Sequence, residues 1–254
     1  DAVAQANANA GPDTIIFSVT GTIPLTSGQV WITEALTITG PGAANLTIDA
    51  GGSSRVFVIA ATSPSCPALD GPDYLVTLSG LRIVKAFNGG GNTGGAIYTE
   101  HSLTIDGVII EGGEAAYGGA IGMQTQYTQQ SLTILNSRLT NNTAKPRPGL
   151  SINAFGGAVS VFEKCANTKT TPVPITITNS EVSGNRAVPT LAFGNGGVLG
   201  FDGFTDVSIT NSRIIDNKVV VPASPLPNTV YSGGGMWARS RLLTITQSEF
   251  SGNA

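Results

Sequence analysis

Residue types able to do acid–base or metal chemistry are scarce in this sequence. Its single histidine, His101, stands beside Glu100 in Tyr98-Thr-Glu-His-Ser102. An imidazole next to a carboxylate is a pair that a general base could use. In a polar turn the same pair reads more simply as solvated, and a solvated turn histidine is the expectation. A glycosidase needs two carboxylates flanking the scissile bond, and a lyase needs a carboxylate-bound Ca²⁺ with a basic group. Asp106, Glu111, Glu114, Glu163, Asp202, Asp206 and Asp216 are the candidate acids, spread thinly along the chain. No His, Cys or carboxylate group has the spacing of a zinc site. The expectation is therefore no catalytic residue, no metal and no cofactor.

Two other sets stand out. Arg138, Glu181, Arg213 and Glu249 occupy one position in successive repeats, so stacking them gives an alternating charge column, a salt-bridge ladder rather than a catalytic site. Phe201, Asp202, Phe204, Tyr231 and Trp237 crowd a glycine-rich stretch and form the candidate binding set, a platform for sugar stacking or for protein contact. Simple loop packing is the competing reading. Cys66 and Cys165 fall in loop-like stretches, where they either form one disulfide or stay as two loop thiols.

Side chains of these kinds need a frame, and a repeat supplies it. Leu132-Thr-Ile-Leu-Asn-Ser-Arg-Leu139 recurs as Ile175–Val182, Val207–Ile214 and Leu243–Phe250, with looser copies at Val76–Ile83, Leu103–Ile110 and Leu36–Gly40. Each copy alternates apolar and polar residues, turns at Asn-Ser or Gly, and alternates again, which is strand, turn, strand. Copies start 40, 27, 29, 43, 32 and 36 residues apart, so the motif is structural and the excess is loop. Between copies lies a glycine turn leading into a third strand: Gly94-Gly-Ala-Ile97, Gly118-Gly-Ala-Ile121, Gly156-Gly-Ala-Val159, Gly196-Gly-Val-Leu199 and Gly234-Gly-Met-Trp237.

Three short strands cannot bury their own apolar face, but stacked copies can. The fold expected is all-β: a right-handed parallel β-helix of about eight coils, rising roughly 4.8 Å per coil into a rod on the order of 40 Å long. Asn136, Asn179, Asn211 and Gln247 form one stacked amide column, and Asn142, Asn185, Asn217 and Asn253 a second. Residues 1–12 read as a short helical cap and residues 13–254 as the coils of one domain. Loop insertions are expected at 61–73, 143–155, 164–174 and 221–231, where Pro, Ser, Thr and Asn concentrate.

At these residues the sequence resembles the repeats of polymorphic outer-membrane proteins, which combine Gly-Gly-Ala-Ile with Phe-x-x-Asn. Phe250-Ser-Gly-Asn253 matches the second motif, while Leu139, Val182 and Ile214 replace its Phe with an aliphatic residue. The start of the chain, Ala2–Ala10 through Asp13-Thr-Ile-Ile-Phe17, is similar to the stretch that follows the Cys-Ser-Leu-Arg-Glu-Ala segment of bacterial surface β-helix proteins. The resemblance implies an exported chain, placed outside the cell, in the periplasm or on the outer surface of a bacterium.

Composition agrees with this frame. Only 11% of residues are charged, against about 25% in ordinary soluble domains. The net charge of −3 lacks the basic excess of a nucleic-acid binder, and no apolar run is long enough for a transmembrane helix. The functional expectation is a structural or adhesive rod that presents loops or docks onto a larger surface assembly. Its partner would be another protein, the continuation of a longer chain at an open C-terminal coil, or surface carbohydrate. The alternative is a polysaccharide lyase or glycosidase working in a groove along the rod.

Overall fold

The computed structural model of the chain describes residues 2–60, 73–89, 93–127, 129–147, 154–164, 171–189, 193–195, 197–220 and 230–254. Cys66 and Cys165 lie outside them. The architecture is a parallel β-helix. Successive repeats contribute one strand each to three long parallel sheets of eight, eight and seven strands, and eight strands in the first sheet mean eight coils.

The first sheet holds Asp13–Ile16, Leu36–Thr39, Leu75–Ser79, Ser102–Asp106, Leu132–Leu135, Val173–Thr178, Thr205–Thr210 and Leu242–Thr246. The motif residues stack in register from coil to coil: Ile38 pairs Leu78, Leu78 pairs Ile105, and Ile134, Ile177 and Ile209 continue the column. This column faces inward and is at most 2% exposed from Ile38 to Ile209. Each such side chain contributes about 1.5–3 kcal/mol by leaving water. Outward positions of the same strands carry Thr37, Thr77, Thr104, Thr133 and Thr176, β-branched residues that suit a solvated pleat.

From the third coil to the eighth, the turn from the first sheet to the second falls on one residue per coil with positive φ: Gly80, Gly107, Asn136, Asn179, Asn211 and Gln247, between 48° and 61°. Glycine and asparagine are the residues that enter this left-handed region at least cost. The Asn179 amide donates to Asn136 Oδ1 at 3.3 Å and the Asn211 amide to Asn179 Oδ1 at 2.8 Å, on the solvent side. This first amide column is an exposed ladder.

The second column is a different object. Asn142, Asn185 and Asn217 are fully buried. The Oδ1 of Asn185 accepts the backbone N–H of Asn142 at 2.8 Å and its side-chain amide at 2.9 Å. Asn217 does the same for Asn185, and Asn253 for Asn217. The remaining amide protons reach back to Ile110, Leu139, Val182 and Ile214 carbonyls. A third ladder, of serines, runs beside them: Ser180, Ser212 and Ser248 each accept the N–H of the serine one coil earlier at 3.1 Å.

The structure corrects the three-strand repeat. Directly after the buried asparagine position a fourth, two-residue strand forms, at Glu114–Ala115, Thr143–Ala144, Arg186–Ala187 and Lys218–Val219. Two residues are too short to show an alternation. Three of the segments expected to be loops also carry strand: Thr143–Ala144, the start of Val173–Thr178, and Val230–Ser232. At the other end the cap is a helix of five residues, Ala2–Ala6, and Asn7 pins it to the first coil through Trp31 O at 2.8 Å and Thr33 N–H at 3.1 Å.

Candidate functional site

The densest group of titratable side chains lies at the corner where the third sheet passes into the first. Strand Ile97–Thr99 ends there, and the chain turns through Glu100 and His101 into Ser102–Asp106. Thr99 Oγ1 closes the turn on the His101 backbone, accepting its N–H at 3.0 Å and lying 2.7 Å from its carbonyl. Glu100, His101 and Ser102 are 5%, 2% and 5% exposed. The expectation of a solvated histidine is therefore wrong, and the reason is long-range: neighbouring coils close over the turn.

His101 lies flat between two tyrosines, with ring centroids 3.7 Å from Tyr74 and 4.8 Å from Tyr127. Its Nδ1 is 3.1 Å from Asp73 Oδ1, which also accepts the Ser102 N–H at 3.1 Å, while Asp73 Oδ2 accepts the Ser102 hydroxyl. An acceptor oxygen opposite Nδ1 assigns the ring proton to that nitrogen. Nε2 is left buried without a partner, as is Gln126 Oε1.

Glu100 anchors the other half of the corner. Its Oε1 takes the Lys164 ammonium at 2.6 Å and the Tyr98 hydroxyl, and its Oε2 takes the Gln126 amide at 3.0 Å. Gln130, fully buried, donates to Glu100 O at 2.6 Å and accepts the N–H groups of Gln126 and Tyr127. Burial first, and the carboxylate of Glu100 second, push the Tyr98 hydroxyl well above the ordinary phenol range. Burial does the same at Tyr74. Both rings therefore stay phenols and act as hydrogen-bond donors.

A base must reach the proton that it abstracts, and an imidazole clamped between two rings at 2% exposure reaches none. In this geometry the cluster is a brace that ties the corner to the adjoining coils. We expect Tyr98→Phe, which removes one donor from Glu100, to destabilise the chain by about 1–1.5 kcal/mol, read from urea unfolding. An unchanged midpoint would sink the brace.

No family model, no curated protein and no solved structure matches the chain significantly.

Of the binding set predicted from sequence, Phe201 is turned away from the surface. Phe201 is fully buried, in register between Val161 and Ala238 on the inner side of the third sheet, so it is a core residue and no platform. Asp202, the next residue, faces outward and pairs with Arg239 at 2.6 Å. The Phe204 N–H donates to Glu163 Oε1 at 3.2 Å. Trp237 meets Phe155 edge-on at 5.3 Å, and Phe155 covers Gly200, where an added Cβ would lie 2.8 Å from the ring. Tyr231 belongs to Val230–Ser232, which pairs with Phe193–Asn195; its side chain lies outside the described part.

The charge column is present. Arg213 bonds Glu181 and Glu249, each at 3.1 Å, and Arg138 lies 3.6 Å from Glu181. The Ser251 hydroxyl and Arg213 hold the Glu249 carboxyl below its ordinary range. Arg82 pairs with Glu111, Lys85 with Asp49, and Arg241 with Asp206. Among the described residues no group of three or more His, Cys, Asp or Glu could hold a metal ion, and no helix is long and apolar enough to cross a membrane.

Sequence reasoning missed the corner brace. One signal was available: Gln124-Thr-Gln-Tyr127 and Gln129-Gln130 interrupt the apolar rhythm of the repeat just where the brace is built.

Proposed function

We infer that this chain is a structural or adhesive rod, exported by a bacterium, that presents its surface and loops to a partner outside the cell. One observation carries the reading: among the described residues the ion pairs on the surface run from coil to coil along the rod axis. Arg82–Glu111, Lys85–Asp49, Arg239–Asp202, Arg241–Asp206 and the Arg138–Glu181–Arg213–Glu249 column each join one coil to another. Groups paired in this way hold coils in register. A catalytic cleft instead gathers unpaired acids around one point.

The Gly-Gly-Ala-Ile and Asn repeats support the extracellular assignment by their resemblance to bacterial surface proteins. The test has two readouts. Fractionation of the producing cells should place the full-length protein outside the inner membrane. Incubation of the purified chain with polygalacturonate, alginate and peptidoglycan should leave polymer length unchanged. Shortening of any of these polymers, or recovery in the cytoplasm, overturns the reading.

A further inference from the structure

We propose that Arg138 and the cleft beside it form a subsite for the carboxylate of an acidic saccharide, as found in a uronic acid unit. The proposal rests on the adhesive reading and names its ligand class. On the outer face of the second sheet a cleft of about 380 Å³ opens across the third to sixth coils, lined by Arg82, Ile109, Glu111, Arg138, Thr140, Asn141 and Ser183. Arg82, Ile109 and Arg138 stand in one register column.

The two arginines differ in what binds them. Arg82 is engaged by Glu111. Arg138 faces Glu181, but that carboxylate already accepts Arg213 at 3.1 Å on one oxygen and the Ser183 hydroxyl at 2.8 Å on the other. Arg138 is left at 3.6 Å, beyond hydrogen-bond distance, with 58% of its side chain exposed. Arg138 is the under-bonded end of the ladder, and its planar fork of N–H donors matches a carboxylate in bidentate geometry.

The rest of the cleft suits a sugar. The Thr140 hydroxyl and the Asn141 side-chain amide line it without a hydrogen bond to any described residue, so they remain for ring hydroxyls. Asn141 takes φ of 57° at a turn position held by Lys85, Gly112, Gly184, Asp216 and Gly252 in other coils; the two adjoining coils, with Gly112 and Gly184, leave it bare, so the side chain in the cleft is that of Asn141. Glu111 and Glu181 on the flanks repel further anionic groups, which confines the attraction to the guanidinium of Arg138 and makes it sensitive to salt.

Calorimetric titration of the full chain at low salt tests the site, with trigalacturonate as probe, maltotriose as its neutral counterpart, and sodium acetate and sodium sulfate as simple anions. Trigalacturonate should bind and maltotriose should not. Arg138→Gln should weaken binding about tenfold or more, as loss of a charge-assisted contact would, with Arg138→Lys in between. Arg241→Gln, remote from the cleft, should change nothing. Circular dichroism of each variant separates lost binding from lost fold, and the Lys variant keeps the test open should the Gln variant misfold. No binding by the wild-type chain, or equal binding by Arg138→Gln, overturns the subsite. Displacement by acetate or sulfate at equal concentration overturns its saccharide character. Neither result touches the rod reading, which falls only if the oligomer is cleaved or the protein proves cytoplasmic.

Discussion

Asn185→Ala should cost about 4 kcal/mol of stability, several times the effect of any exposed amide in the chain. The residue is fully buried, and its Oδ1 is the acceptor for both the backbone and side-chain N–H of Asn142. Its own amide donates to Leu139 O at 2.8 Å and to Asn217 Oδ1 at 3.0 Å. Truncation leaves two donors on Asn142 and one carbonyl without partners, each worth about 1–3 kcal/mol when buried. The neighbouring coils cannot collapse to compensate, because register holds them apart. Asn179→Gly is the control: Asn179 is exposed with φ of 52°, and Gly80 and Gly107 already fill the same column. A change within about 0.5 kcal/mol is expected there. Asn185→Asp separates the roles further. The acceptor is retained but a charge is buried, so this variant should regain stability as pH falls and the new carboxyl takes up a proton. Urea titrations at neutral and acid pH read all three, and equal losses for Asn185→Ala and Asn179→Gly would refute the buried ladder.

That contrast marks what a sequence of this kind makes legible. Coils, turns and both amide columns follow from a repeat in which every copy obeys the same local rules. Which column is buried does not, since Asn136 and Asn142 are both asparagines near a turn. Only the path of the fourth short strand puts the second one inside. Phe201 was misread for a related reason. Gly200 and Gly203 on either side suggest a loop, whereas alternation with Leu199 and register with Val161 place the ring in the core. For the His101 brace the glutamines at 124–130 mark the place, but the partners themselves are out of reach of local reading. Tyr74 and Tyr127, which sandwich the imidazole, come from the connections just before Leu75–Ser79 and just after Ile121–Thr125, in neighbouring coils. Interactions between coils are invisible to a pattern read within one coil.

The scarcity of charge now has a structural cause. Stacking demands that each position tolerate its own kind one coil away. Amides, hydroxyls and aliphatics do so, whereas like charges at the spacing of adjacent strands repel. Charges survive where they alternate, as in Arg138–Glu181–Arg213–Glu249, or where an opposite partner lies across a coil boundary, as in Arg82–Glu111. Arg138, at the end of its ladder, is where this neutralisation stops short.

Gly119→Ala should cost about 3 kcal/mol, and the reason differs from that of most glycines in turns. Its backbone is not in the left-handed region; the obstacle is the next coil. A Cβ there would lie 2.3 Å from Gly157 O, 2.5 Å from Thr143 N and 2.7 Å from Thr143 C, all main-chain atoms that cannot rotate away. The coils must separate or shear to admit it, a strain at the upper end of ordinary overpacking. The preceding Gly118 has φ of 65°, so the two glycines of Gly-Gly-Ala-Ile serve different needs: the first turns the chain and the second lets two coils touch. Gly95 and Gly157 repeat the second arrangement, with Gly119 O at 2.1 Å and Arg186 O at 2.5 Å from the added atom. Gly107→Ala isolates the other term. Its φ is 61° with no atom within 4 Å of an added Cβ, so it should lose only the about 1–2 kcal/mol of a left-handed alanine. Gly119→Ala should also speed hydrogen exchange in Ile121–Thr125 and Val159–Glu163, the strands paired across that contact, while Gly107→Ala leaves them protected. If both variants lose the same stability and neither alters exchange there, close approach is not what the second glycine is for.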